Sequence, residues 1–119
     1  MSLMPSHMTA LGTAATPFAL KDAAGTDCRL DFSGTFPATL VVFMCNHCPY
    51  VVHLKPHFAS FARDCMDRGV QVVAINSNDP GRYAEDGPAG MLADSKKFGY
   101  PFPYLVDETQ EVARAYRAT

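Results

Sequence analysis

An unbroken apolar run, Ala38-Thr-Leu-Val-Val-Phe-Met44, leads directly into Cys45-Asn-His-Cys48, and apolar residues then recur at helical spacing. That order constrains the chain more than any other feature. A run that is β-branched in its middle and apolar throughout suits a strand covered on both faces, as in a parallel sheet. From about Pro49 to Arg68, residues Val51, Leu54, Phe58, Phe61, Ala62 and Cys65 fall on one helical face. Pro49 suits a first turn, which needs no donor there, and Gly69 is placed to end the helix. Pro56 removes one backbone donor and should kink the helix near its middle. Two cysteines separated by two residues at a helix start can close a small disulfide ring. The unpaired amides and positive dipole end of the helix stabilise a thiolate there. Strand, Cys-x-x-Cys, helix therefore reads as a redox-active dithiol.

The remaining elements fit around this unit. Pro17–Leu20 and Cys28–Phe32 flank the turn signal Asp22-Ala-Ala-Gly25 and predict a β-hairpin. Val70–Ile75 predicts a second buried strand, followed by the turn-rich Asn76-Ser-Asn-Asp-Pro-Gly81. A helix is expected from about Gly90 to Phe98, with Pro88 as the alternative start, and a short strand over Pro103–Val106. Asp107-Glu-Thr-Gln110 supplies acidic residues suited to a helix start, with Val112, Ala113 and Tyr116 packing inward. No internal repeat interrupts this α/β order.

Composition excludes several classes. With 119 residues, 48% of them hydrophobic, the chain can bury one core. A formal charge of -2 offers no basic surface for nucleic acid or anionic lipid, and no stretch reaches the roughly 20 apolar residues of a membrane span. Residues 1–16 lack a charged start and an apolar centre, so they read as a flexible N-terminal arm rather than a signal peptide, and the expected location is cytoplasmic. Four cysteines are too few for a disulfide scaffold. Cys65 lies 17 residues beyond Cys48, about 25 Å along a helix, too far for the two to pair.

Several blocks together resemble the peroxiredoxin-like (AhpC/TSA-related) branch of the thioredoxin superfamily. They are Phe43-Met-Cys-Asn-His-Cys-Pro-Tyr-Val51, Val73-Ala-Ile-Asn-Ser-Asn-Asp-Pro80, Glu85-Asp-Gly-Pro88, Gly99-Tyr-Pro-Phe-Pro-Tyr104 and Asp107-Glu-Thr-Gln110. The resemblance implies a thioredoxin-like α/β fold over residues 17–119 with an N-terminal β-hairpin. It also implies a continuation that this sequence lacks: a cis-proline segment, two antiparallel strands and a final helix. The expectation is therefore a C-terminally incomplete domain in which the strand Ala38–Met44 keeps an unpaired edge. A second departure concerns the Pro-x-x-x-Thr/Ser-x-x-Cys pattern of peroxidatic cysteines, where this chain has Ala38 and Val42.

On this reading Cys45 is the nucleophile, Cys48 the resolving thiol, and His47 a charge or donor that favours the Cys45 thiolate. Histidine before the second cysteine also occurs in strongly oxidising members of the superfamily, so a comparatively oxidising couple is expected. Tyr50, Asn76 and Asn78 are candidate substrate-groove residues, the last two because active-site loops gather at the C-terminal ends of parallel strands. No organic cofactor is implied, since the sulfurs do the chemistry. The expected partner is a protein disulfide or a thiol donor such as the thioredoxin or glutathione system, and an open sheet edge allows a homodimer. Peroxide reduction through a Cys45 sulfenic acid is the alternative reading. A metal-binding or redox-sensing module is the third, but His57 would sit about 13 Å along the helix from Cys48, beyond reach of a shared ion.

Overall fold

A computed structural model describes residues 9–30, 37–44, 49–77 and 87–118, with the backbone alone described at 49–52. The element order is β1 (Phe18–Asp22), β2 (Asp27–Leu30), β3 (Ala38–Phe43), α1 (Pro49–Asp67), β4 (Val70–Asn76), α2 (Pro88–Phe98), β5 (Tyr104–Val106) and α3 (Glu111–Ala115). The strands form one open sheet in the order β2-β1-β5-β4-β3. β3, β4 and β5 run parallel, in register from Ala38↔Val70 to Phe43↔Ile75 and from Ala74↔Tyr104 to Asn76↔Val106. β1 pairs antiparallel with both β5 and β2. This is the thioredoxin-like α/β arrangement the sequence predicts, hairpin included.

Asp22 makes the hairpin. Its Oδ1 accepts hydrogen bonds from the amides of Ala24 and Thr26, both at 2.9 Å, while Gly25 takes φ 89° to close the turn. An aspartate that bonds the backbone just ahead of it, followed by a glycine free to adopt positive φ, is a turn written in the sequence.

β4 organises the core. Val72 and Ala74 face one side and join Met44, Ala62, Met91, Phe102 and Tyr104 beneath α1 and α2. Val73 and Ile75 face the other and join Phe18, Leu30, Leu105 and Val112 beside α3. The alternation is the period of two that places successive strand residues on opposite faces. β3 departs from expectation in degree. Among the described residues it lies at the sheet margin, and Thr39 to Phe43 are half-buried rather than enclosed. A strand paired on one side only leaves a row of backbone groups open, and Ala38–Met44 has no charged residue to discourage a partner.

The buried face of α1 is a correction. The helix continues through Pro56 as one element of 19 residues. It buries Lys55, Ala59 and Ala62, half-buries Phe58 and Cys65, and exposes Leu54 (55%) and Phe61 (54%), against the inward orientation their spacing predicts. The cause is α2. Lys55 pairs with Asp94, and the Arg63 guanidinium donates to the Gly99 carbonyl at 2.7 Å, so α1 is turned toward its neighbour. Leu54 and Phe61, one heptad apart, lie together on the flank beside this buried face.

This orientation has a direct consequence. Ala62→Leu should destabilise by about 1–3 kcal/mol through overpacking, whereas Leu54→Ala should stay within about 1 kcal/mol. Urea unfolding of both variants checks the ranking, and the reverse order would return Leu54 to the core.

Candidate active site

The three parallel strands end side by side, and each end is tied to the next. The Met44 amide, just past β3, donates to the Ile75 carbonyl at 2.9 Å, and the Asp107 amide, just past β5, donates to the Asn76 carbonyl at 2.9 Å. The loops leaving these ends therefore start from one line at the carboxyl edge of the sheet. Such an edge is where open α/β sheets place their sites.

Cys45, His47, Cys48 and Asn78 lie outside the described residues. Their flanks are placed: Met44 is buried on β3's exit, and α1 begins at Pro49, so residues 45–48 join two ordered elements. Tyr50 belongs to the first turn of α1. Asn76 closes β4 and is buried at 2% exposure, which makes it part of the floor at the strand ends.

Three residues of this edge were not singled out as site residues by sequence reasoning. Asp107 is buried at 1% exposure. It accepts hydrogen bonds from the Ser77 hydroxyl at 2.8 Å and from the Ala113 and Val112 amides at 2.9 and 3.3 Å. Gln110, held at φ 64°, donates from Nε2 to the Ser77 carbonyl at 2.8 Å. Asp107 thus caps α3, as its place before the helix suggests, and in addition fixes the loop that follows β4. The signal for the second role was Ser77 at the equivalent position after a parallel strand.

The two described cysteines stand apart from this edge in chemistry. Cys28 sits on β2, and burial, then the nearby Asp22 carboxylate, pushes its thiol above the usual range. That disfavours the thiolate a nucleophile needs. Cys65 is half-buried on α1. His53 and His57 are exposed on the same helix. A cleft of about 340 Å³ between β1 and α3, lined in part by Pro17, Leu20, Thr109, Val112 and Tyr116, opens on the face opposite α1. No helix among the described residues is long and apolar enough to cross a membrane.

The strand order and the flanking helices define a thioredoxin-like fold. The thioredoxin domain of a thiol-disulfide oxidoreductase from Bacteroides vulgatus shares this fold, with a TM-score of 0.69 and 19% identity over 94% of this chain and 76% of that one. Nearer in sequence is a hypothetical protein from Sinorhizobium meliloti 1021, 44% identical with a TM-score of 0.88 over 93% of this chain. An uncharacterised conserved protein from Geobacillus kaustophilus is 48% identical with a TM-score of 0.88 over 98% of this chain. The chain belongs to the AhpC/TSA family, whose pattern matches residues 11–119. It spans 61% and 64% of the lengths of the Sinorhizobium and Geobacillus chains. No curated protein matches it.

Removing the Asp107 carboxylate tests the frame. Asp107→Ala leaves the Ser77 hydroxyl and two amides unsatisfied and should destabilise by about 1–3 kcal/mol, whereas the exposed Glu108→Ala should change stability by less than about 0.5 kcal/mol. Equal midpoints in chemical denaturation would remove Asp107 from that role.

Proposed function

We propose that the protein is a thiol–disulfide oxidoreductase acting through Cys45 and Cys48. The observation that carries the reading is the bracket around the dithiol: a strand end tied to β4 on one side and a 19-residue helix on the other. A thiolate at a helix start gains from the unpaired amides and the dipole. The family and the fold support redox chemistry of this kind.

In the reaction, the Cys45 thiolate attacks one sulfur of a substrate disulfide. That bond breaks, a mixed disulfide forms, and the departing substrate sulfur takes up a proton. Cys48, once deprotonated, attacks the Cys45 sulfur, releases the second substrate thiol and leaves a Cys45–Cys48 disulfide. Two electrons have passed to the substrate, and a thiol donor of the thioredoxin or glutathione type restores the dithiol in the cytoplasm. His47 is proposed to favour the Cys45 thiolate and Tyr50 and Asn78 to meet the partner's chain, while Asn76, at 2% exposure, is a buried support rather than a contact.

Cys48→Ser should trap the mixed disulfide as a reductant-sensitive adduct on Cys45 with a disulfide-bearing protein, while Cys45→Ser should trap none. Peptide mass mapping reads the result, and no adduct on Cys45 in the first variant would sink the reading. Self-association through the open β3 edge belongs to the same proposal, since an uncharged strand can pair with its own copy across a two-fold axis. Sedimentation velocity over a concentration series should show dimer growing at the expense of monomer. A monomer throughout would remove that partner.

A further inference from the structure

β1 outruns the strand beside it. It pairs with β2 from Phe18 to Lys21, but only Lys21 and Asp22 pair with β5. Continued in register, Ala19 would face Glu108. The chain has turned away by then: the Gln110 amide donates to the Asp107 carbonyl at 3.2 Å, and Asp107 caps α3. The Asp22 amide donates to the Thr26 carbonyl just before β2, so Asp22, Leu20 and Phe18 turn their backbone groups toward β2. Alternation directs those of Lys21 and Ala19 to the other side. Lys21 meets Val106 there, whereas the Ala19 amide and carbonyl have no partner among the described residues.

The cleft of about 340 Å³ lies along this unpaired stretch. Phe18 and Leu20 turn their side chains to the α3 face, where Val112 and Tyr116 complete an apolar wall. Tyr116 holds the wall in place: its hydroxyl donates to the Thr16 carbonyl at 2.6 Å, and its ring meets Phe18 at 6.1 Å. The ionisable side chains lining the cleft are two carboxylates, Asp107 and Glu111. Asp107 is taken up by Ser77 and the α3 amides. Glu111 is exposed and bonded by no cation among the described residues, since the neighbouring Arg114 donates to the Thr109 carbonyl at 2.9 Å. Glu108, exposed on the same turn, adds to the negative field, and Lys21 stands where β5 still pairs.

We propose that this cleft docks an extended segment of a partner protein in which an apolar residue and a lysine or arginine stand two positions apart. The segment lies beside β1 as the strand that β5 does not supply, exchanging hydrogen bonds with the Ala19 amide and carbonyl. The two-residue period puts both side chains on the α3 face, the apolar one against Val112 and Tyr116 and the cation beside Glu111. An open sheet edge dictates an extended backbone, the wall an apolar side chain, and the unanswered carboxylate a positive charge. A second copy fits poorly, because pairing β1 with β1 would set two acidic clefts against each other. The cleft holds none of the dithiol residues, so the proposal stands or falls independently of the reading of Cys45 and Cys48.

Fluorescence anisotropy of a fluorescein-labelled Thr-Val-Thr-Lys-Thr peptide, titrated with the intact protein at low salt, tests this. Saturable binding is expected, with a Kd below about 1 mM. Glutamate in place of the peptide's lysine should weaken it by about fivefold or more. Glu111→Gln should weaken binding of the lysine peptide about two- to fivefold. Ala19→Pro removes the free amide without breaking a ladder bond, and should weaken it about fivefold or more. The margin at β3 contains neither residue, so the two variants separate binding there from binding in the cleft. No saturable binding, equal affinity for the acidic peptide, or affinity unchanged by both substitutions would overturn the proposal. So would a dimer in sedimentation velocity that Ala19→Pro dissociates, because the cleft would then belong to a second copy. Should Ala19→Pro fail to fold, Glu111→Gln with the two peptides still decides it.

Discussion

Everything in this chain is hung on β4. Its residues Val72 to Ile75 are buried to within 1% exposure, and both of its edges are paired, with β3 on one side and β5 on the other. Burial on both faces compels a continuous apolar strand, and parallel pairing on both edges compels the three strand ends to lie in one row. The hydrogen bonds from Met44 to Ile75 and from Asp107 to Asn76 fix that row. The chain after Met44, the chain after Asn76 and the capped start of α3 all leave from it. The location of the site is thus a consequence of sheet pairing more than of any single site residue.

Charge is distributed around that frame with some economy. Asp107, buried at the row of strand ends, is answered by a hydroxyl and two amides, and Lys55, buried one layer away, by Asp94. A buried charge must find such partners or be lost. Each pair also joins elements distant in sequence: Asp107 ties α3 to the loop after β4, and Lys55 ties α1 to α2. Helix α1 is therefore oriented by an ion pair toward α2, which leaves Leu54 and Phe61 exposed on its flank.

Much of this was legible in the chain. The apolar run before Cys45 and the run at Val70–Ile75 named β3 and β4, and their lack of alternation named a parallel sheet. Asp22 with Gly25 announced the hairpin turn and Gly69 the end of α1, while α2 starts at Pro88, the alternative to the expected Gly90. The rotation of α1 was not legible. Leu54 and Phe61 fit a helical stripe as well as Ala59 and Ala62 do, and only the arrival of α2 against Lys55 and Arg63 decides which stripe is inside. The marginal place of β3 came from resemblance rather than from composition, since its sequence is that of an enclosed strand. The candidate site residues Cys45 and Cys48 rest on the motif alone and lie outside the described residues, whereas the Ser77–Asp107–Gln110 frame depends on a contact across about 30 residues that no local pattern encodes.

The central claim is that residues 45–48 hold a reversible two-electron couple. Equilibrating the protein in a graded series of dithiol and disulfide buffers, then trapping free thiols by alkylation and mapping the peptides, tests it most directly. The account predicts a single two-electron transition in which Cys45 and Cys48 are lost and regained together, while Cys28 and Cys65 remain alkylatable throughout. Cys45 and Cys48 staying reduced across the whole series would contradict it.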